Sequence, residues 1–230
     1  MNELMLNSAT IGVVISLLSY FLGIFLKKKT RSDFFNPLLI SILLVIAFLL
    51  LFDIEYESYN HSAKYLSYLL TPATVCLAIP LYQKIALLKK YPVAILVAIT
   101  SGVLTSLLSI LGLSLLFKLS YEEFVTLLPK SITTAIGIGV SEELGGYQSI
   151  TAAAIILTGI LGNLIGTLVC KVFRIRHAIS RGLAFGTSSH AIGTTKAMEL
   201  GETEGAMSSL SIVVAGLLTV VLASVLAMLY

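Results

Sequence analysis

The stretch RGLAFGTSSHAIGTTKAMELGE, residues 181–202, is a polar interruption in a hydrophobic chain. Its uncharged middle, residues 182–195, holds Gly, Ser, Thr and His where a membrane helix usually carries Leu and Val. At about 1.5 Å per residue it is too short to cross a hydrocarbon core of about 30 Å as a straight helix. Its place in the fold follows from what surrounds it.

The chain is 57% hydrophobic and only 12% charged, against roughly 25% charged residues in soluble domains. Residues 4–26, 34–52, 65–83, 91–117, 144–170 and 205–230 carry no Asp, Glu, Lys or Arg. Each run approaches or exceeds the roughly 20 residues that a membrane helix needs. This predicts an all-α, polytopic integral membrane protein, a single membrane domain over 1–230 with an N-terminal helix pair (1–60) and repeat units (61–230). The first run lacks a basic leading segment and is followed by Lys27, Lys28 and Lys29 rather than a small-residue cleavage site. It reads as a retained helix, not a signal peptide. No basic–aromatic patch points to nucleic acid, and no enzyme or metal motif is present, so neither catalysis nor a cofactor is expected. Cys76 and Cys170 read as buried small hydrophobes.

Basic clusters set the orientation. Lys27–Lys29 with Arg31, Lys89 with Lys90, and Lys171, Arg174, Arg176 and Arg181 all belong in the cytoplasm by the positive-inside rule. Six spans with both termini outside satisfy this pattern. Two short uncharged segments remain, residues 131–141 starting from outside and 182–195 starting from inside. Both read as re-entrant or broken helices, which persist at membrane depth only where protein buries them or they line a watery cavity. The alternatives are surface loops, or eight spans with Lys171 to Arg181 outside.

The two segments also resemble each other. A shift of 56 residues superposes AIG at 135–137 on AIG at 191–193 and ELG at 143–145 on ELG at 199–201. Each is followed by a long apolar run, and the two runs are antiparallel in the six-span arrangement. That predicts an inverted repeat with discontinuous helices, a pattern of secondary transporters. Pro72, Pro80 and Pro129 are expected to break or kink helices.

A broken helix presents unpaired N–H groups and partial positive charge at its N-terminus, which suits a small organic anion. Gly186, Thr187, Ser189, Gly193 and Thr194 supply close backbone approach and hydroxyl donors. Lys130, Ser131, Thr133 and Thr134 offer the same with a cation added. His190 reads either as a substrate contact and proton exchanger or as a neutral ring bonded to a nearby carbonyl. Lys196 reads as a counter-ion or as an interfacial lysine. Glu142 and Glu143, with Glu199, Glu202 and Glu204, border the segments as candidates for proton coupling or as solvated loop residues.

With LLPKSITTAIGIGVSEELGG at 127–146 and RGLAFGTSSHAIGTTKAMELGETEGAMSSLS at 181–211, the sequence closely resembles the LrgB/CidB family of bacterial membrane proteins. NPLLI at 36–40 and LTPATVCLAIPLY at 70–82 extend the resemblance over nearly the whole chain. It implies a multi-pass protein of the bacterial cytoplasmic membrane, a homo-oligomer such as a dimer, working beside a small LrgA/CidA-type membrane partner. Two functions follow from the resemblance. One is holin/antiholin-like modulation of murein hydrolase activity and autolysis. The other, through a related plastid glycolate/glycerate translocator, is transport of monocarboxylates such as pyruvate or glycolate. Ala135 stands where many relatives have Pro, and Lys196 where many have Arg.

Overall fold

The computed structural model describes residues 5–6, 8, 10–30 and 35–230, without the side chains of Leu70, Thr71, Thr74, Leu77, Pro80, Leu81, Leu87 and Leu88. Arg31 and the first residues of the runs 4–26 and 34–52 lie outside the described residues. The described chain is helical and contains no strand. It divides into two compact units, Met1–Cys76 and Leu77–Tyr230.

The first unit holds α1 (Ile11–Thr30), α2 (Pro37–Leu51) and α3 (Tyr56–Ala63), followed by a 3-10 helix over Lys64–Leu69. Asn36 caps α2: its Oδ1 accepts from the N–H groups of Leu38 (2.9 Å) and Leu39 (3.2 Å), with Pro37 preset for the first turn. Helices α1 and α3 meet where the Gly12 N–H donates to Ser62 Oγ at 3.1 Å.

Helix α4 (Leu70–Gln83) continues through Pro72 and Pro80, so neither proline interrupts it. Pro72 is tolerated because its missing N–H falls in the first turn, where no intrahelical partner exists. Cys76 on this helix is exposed, not buried as its apolar surroundings in sequence suggest, whereas Cys170 is buried. The second unit continues with α5 (Ile85–Lys90), α6 (Pro92–Phe117), α7 (Tyr121–Leu127), α8 (Thr134–Glu143), α9 (Gln148–Val172), α10 (Ala178–Leu200) and α11 (Glu202–Ala227). Helices α1, α6, α9 and α11, of 20 to 26 residues, are long and apolar enough to cross a membrane. Of the other two runs expected to span, the second forms the 15-residue α2. The third is divided between the 3-10 helix and the 14-residue α4.

The two short segments are helical hairpins, not surface loops. In α10 the helix breaks at Ser189 (φ −137°, ψ 17°) and His190 (φ 41°, ψ −140°). Both arms lie on the first turns of α11. Gly182 and Gly186 sit against Glu204 and Ser208, while Met198 packs on Gly205 and Thr194 Oγ1 lies 2.7 Å from Ser208 Oγ. The register rises on one arm and falls on the other, so the chain enters and returns on the same side. The α7–α8 pair folds back likewise: the Tyr147 N–H, beyond α8, donates to Thr126 Oγ1 in α7 at 2.8 Å. A capping box starts this hairpin, with Ser120 Oγ and Glu123 Oε2 each accepting from the other's N–H.

The hairpins enter from opposite ends of the bundle. Helix α11 starts beside the base of α10 and ends at Ala227; three residues on, the ring of Tyr230 stacks on Phe124 of α7 at 4.3 Å. Its hydroxyl donates to the carbonyl of Leu119. The core between them is one face of α6, with Ile95, Ile99, Val103, Leu107 and Ile110 buried against Phe124, Val125, Met207 and Ala215. Lipid is as apolar as these side chains, so association rests on close packing, and small residues dominate the α10–α11 contact. Any Cβ on Gly182 or Gly186 would strike the carbonyls of Glu204 or Ser208.

Candidate functional site

The break in α10 lies at the middle of α9. His190 Nε2–H donates to the carbonyl of Ile155 at 2.9 Å; the acceptor, a carbonyl, fixes which nitrogen carries the proton. Ser189 fills the space beside Gly162, and Asn163 Nδ2 donates to the carbonyl of Ile192 at 2.9 Å. A β-branched or bulky residue at Gly162 would push the tip away from α9.

The other tip reaches the same depth on α6. Ser131 Oγ lies 3.0 Å from Ser106 Oγ. Lys130 Nζ donates to Ser131 Oγ (3.1 Å) and Ser106 Oγ (3.4 Å). One helical turn away, the methyl of Thr187 takes the space beside Gly102. The two tips therefore meet the middle of α6 at neighbouring turns. Between them is a cavity of about 690 Å³.

Its lining has two characters. Ser101, Thr105, Ser106, Ser109, Ser131, Thr158, Thr187, Ser188 and Ser189 bring hydroxyls, while Ala98, Ile165, Val169, Leu183 and Phe185 form an apolar wall. Lys130 is the one charged lining residue, and no carboxylate pairs with it among the described residues. Thr187 is 7% exposed and its Oγ1 has no hydrogen-bond partner among the described residues. A buried hydroxyl without a partner destabilises by roughly 1–3 kcal/mol.

Four of the residues expected at a site line this cavity: Lys130, Ser131, Thr187 and Ser189. Thr133 and Thr134 sit at the start of α8, where Thr133 gives no side-chain cap. Gly186, Gly193 and Thr194 are buried in packing within and beneath the α10 hairpin. His190 is buried behind the tip, on α9. Lys196 Nζ lies 3.0 Å from Glu199 Oε2, away from the cavity. Glu142 and Glu143 are exposed at the end of α8. Glu204 is not a solvated loop residue: it is 4% exposed and pairs with Arg181 at the base of the hairpin. Pro129 lies in the turn between α7 and α8.

Sequence reasoning missed the contribution of α6. Ser101, Thr105 and Ser109, with Gly102 and Ser106, recur at helical spacing in SGVLTSLLS. A stripe of hydroxyls along one face of a span was the available signal.

The sequence model of the LrgB-like family matches residues 16–229. The chain belongs to the LrgB-like family. Among its relatives are proteins named antiholin-like protein LrgB from Bacillus cereus (strains B4264 and AH187) and Bacillus anthracis (strain A0248). Each is 39% identical over 211 residues, covering 91% of this chain and 92% of the relative. No solved structure matches the chain. The LrgB-family match spans both hairpins and all of α6, so the cavity lies wholly within the shared region.

Proposed function

We propose that this LrgB-family protein is a secondary transporter of small monocarboxylates of the pyruvate or glycolate kind, and not an enzyme. The observation that carries the reading is the cavity at mid-depth between two re-entrant tips, with Lys130 as its one charged residue. A single cation matches a single carboxylate. The hydroxyls match the remaining oxygens, and the apolar wall accepts a short carbon chain.

The two half-helices that begin at the tips, at Thr134 and just after His190, place N-terminal partial positive charge near the same depth. Opposed hairpins are also what an inverted repeat produces. Thr126 contacts Thr151 in the first copy of such a repeat, and Gly182 contacts Met207, 56 residues on, in the second. Repacking either hairpin against α9 would open the cavity to one side at a time.

The protein would sit in the bacterial cytoplasmic membrane as a homodimer, with an LrgA/CidA-type partner. A second reading, holin/antiholin-like modulation of murein hydrolases and lysis, is favoured by the names its relatives carry. It is compatible with transport if organic-acid flux alters membrane energetics. Proteoliposome uptake decides between them. Saturable uptake of labelled pyruvate or glycolate, with an entrapped dye retained, is the expected result. Dye release without saturable uptake would overturn the transport reading.

A further inference from the structure

A second, smaller pocket lies where α9 ends and the α10 hairpin begins. It measures about 290 Å³ and is lined by Lys171, Arg174, Arg176 and Arg181, with no acidic lining residue. Arg181 is paired with buried Glu204 through Nη2, and its buried Nε has no hydrogen-bond partner among the described residues. Lys171, Arg174 and Arg176 form no ion pair among the described residues.

Two simpler explanations fall short. The C-terminus of α9 carries about half a negative charge, which Lys171 alone would offset. Cytoplasmic placement needs basic residues somewhere in this loop, but not a cation at position 174. There the backbone closes α9 with a left-handed residue: Arg174 has φ 55°, and the Ile175 N–H donates to the carbonyl of Cys170 at 2.8 Å. This is the position where glycine is strongly preferred. An arginine in the left-handed region is strained, and its side chain lines the pocket.

We propose that this pocket binds a phosphate group, from either a phospholipid headgroup or a free phosphorylated anion. Three unpaired cations exceed what one carboxylate requires, and arginine forks match phosphate oxygens. The site adjoins the central cavity through shared Cys170 and Ile175. A bound phosphate would therefore sit beside its cytoplasmic mouth. The inference does not rest on transport, because binding is read without flux.

The test uses the full chain. In detergent, inorganic pyrophosphate is titrated calorimetrically. In parallel, the chain from nanodiscs of phosphatidylglycerol or phosphatidylcholine is weighed by native mass spectrometry for retained lipid. Saturable pyrophosphate binding assigns a free anion, and selective retention of phosphatidylglycerol assigns a headgroup. Arg174→Gly and Arg176→Gln should weaken whichever binds by roughly tenfold. Arg174→Gly should do so with an unchanged or higher melting temperature, since glycine relieves the left-handed residue. Lys130→Met must still bind; loss there would put the ligand in the central cavity and overturn the proposal. Binding of neither probe, or full binding by Arg174→Gly, would also overturn it.

Discussion

The Nε2–H of His190 donates a 2.9 Å hydrogen bond to the main-chain carbonyl of Ile155, and His190 itself stands at φ 41°. A left-handed residue without glycine's freedom is maintained only because its surroundings over-determine it. The imidazole is thus part of the device that holds the break. His190→Ala should lower thermal stability in detergent, by about 0.5–1.5 kcal/mol for the hydrogen bond lost; the Ile155 carbonyl keeps its helical partner within α9. Uptake by His190→Gln should retain the wild-type pH profile. A flattened profile would return His190 to the proton-exchange role.

Thr187→Val should separate fold from ligand. Its hydroxyl has no hydrogen-bond partner among the described residues, so removing it should leave the melting temperature unchanged or raised. If the hydroxyl meets the substrate, KM for uptake should rise by roughly fivefold, the equivalent of about 1 kcal/mol. Unchanged KM in proteoliposomes would remove Thr187 from the site.

Lys130→Met should reduce apparent affinity for a monocarboxylate by roughly tenfold or more, the usual worth of a hydrogen bond to a charged group. Insertion should be unaffected, because the side chain is paired only with hydroxyls. Saturation curves at matched protein levels provide the check.

Arg181 and Glu204 join the base of the α10 hairpin to α11, and Glu204 is nearly inaccessible. Removing one partner strands a buried charge. Arg181→Met should therefore destabilise by about 3–5 kcal/mol, with the double substitution Arg181→Met, Glu204→Leu recovering most of it. Additive losses in a thermal double-mutant cycle would show that the pair is not coupled.

Sidedness is testable at the two ends of the bundle. Cysteine at Lys118, just beyond α6, should react with an impermeant thiol reagent from outside intact cells. Cysteines at Lys28 and Arg176 should not, since both belong to basic clusters. Labelling at position 176 but not 28 would favour a different number of crossings.

The sequence was most legible where polarity broke an apolar run. SSHAIG marked the interruption at Ser189 and His190, and PKS placed Lys130 and Ser131 at the other tip. What could not be read was which polar residues face inward. Gly186, Gly193 and Thr194 read in sequence as binding residues; the structure buries them where α10 closely approaches α11 and where its two arms meet. Glu204 precedes an apolar helix, the usual place for a solvated acid, and only tertiary contact reveals its arginine. The runs behind α2 and α4 lacked charges but not helix boundaries, since Pro37 and the Lys64–Leu69 segment shorten them.

Ile155 belongs to both hairpins at once. Its terminal methyl fills the space beside Gly137 on α8, and its carbonyl accepts the proton of His190 on α10. One residue of α9 thus serves as a shared bearing for two elements that approach from opposite faces. Neither hairpin can shift there without altering the seat of the other. Linkage is reciprocal, so a change that favours one displaced hairpin must alter the other's equilibrium by the same free energy. If the protein is the carrier proposed above, negative coupling through this common pivot would keep the two sides from opening together and forbid a continuous leak.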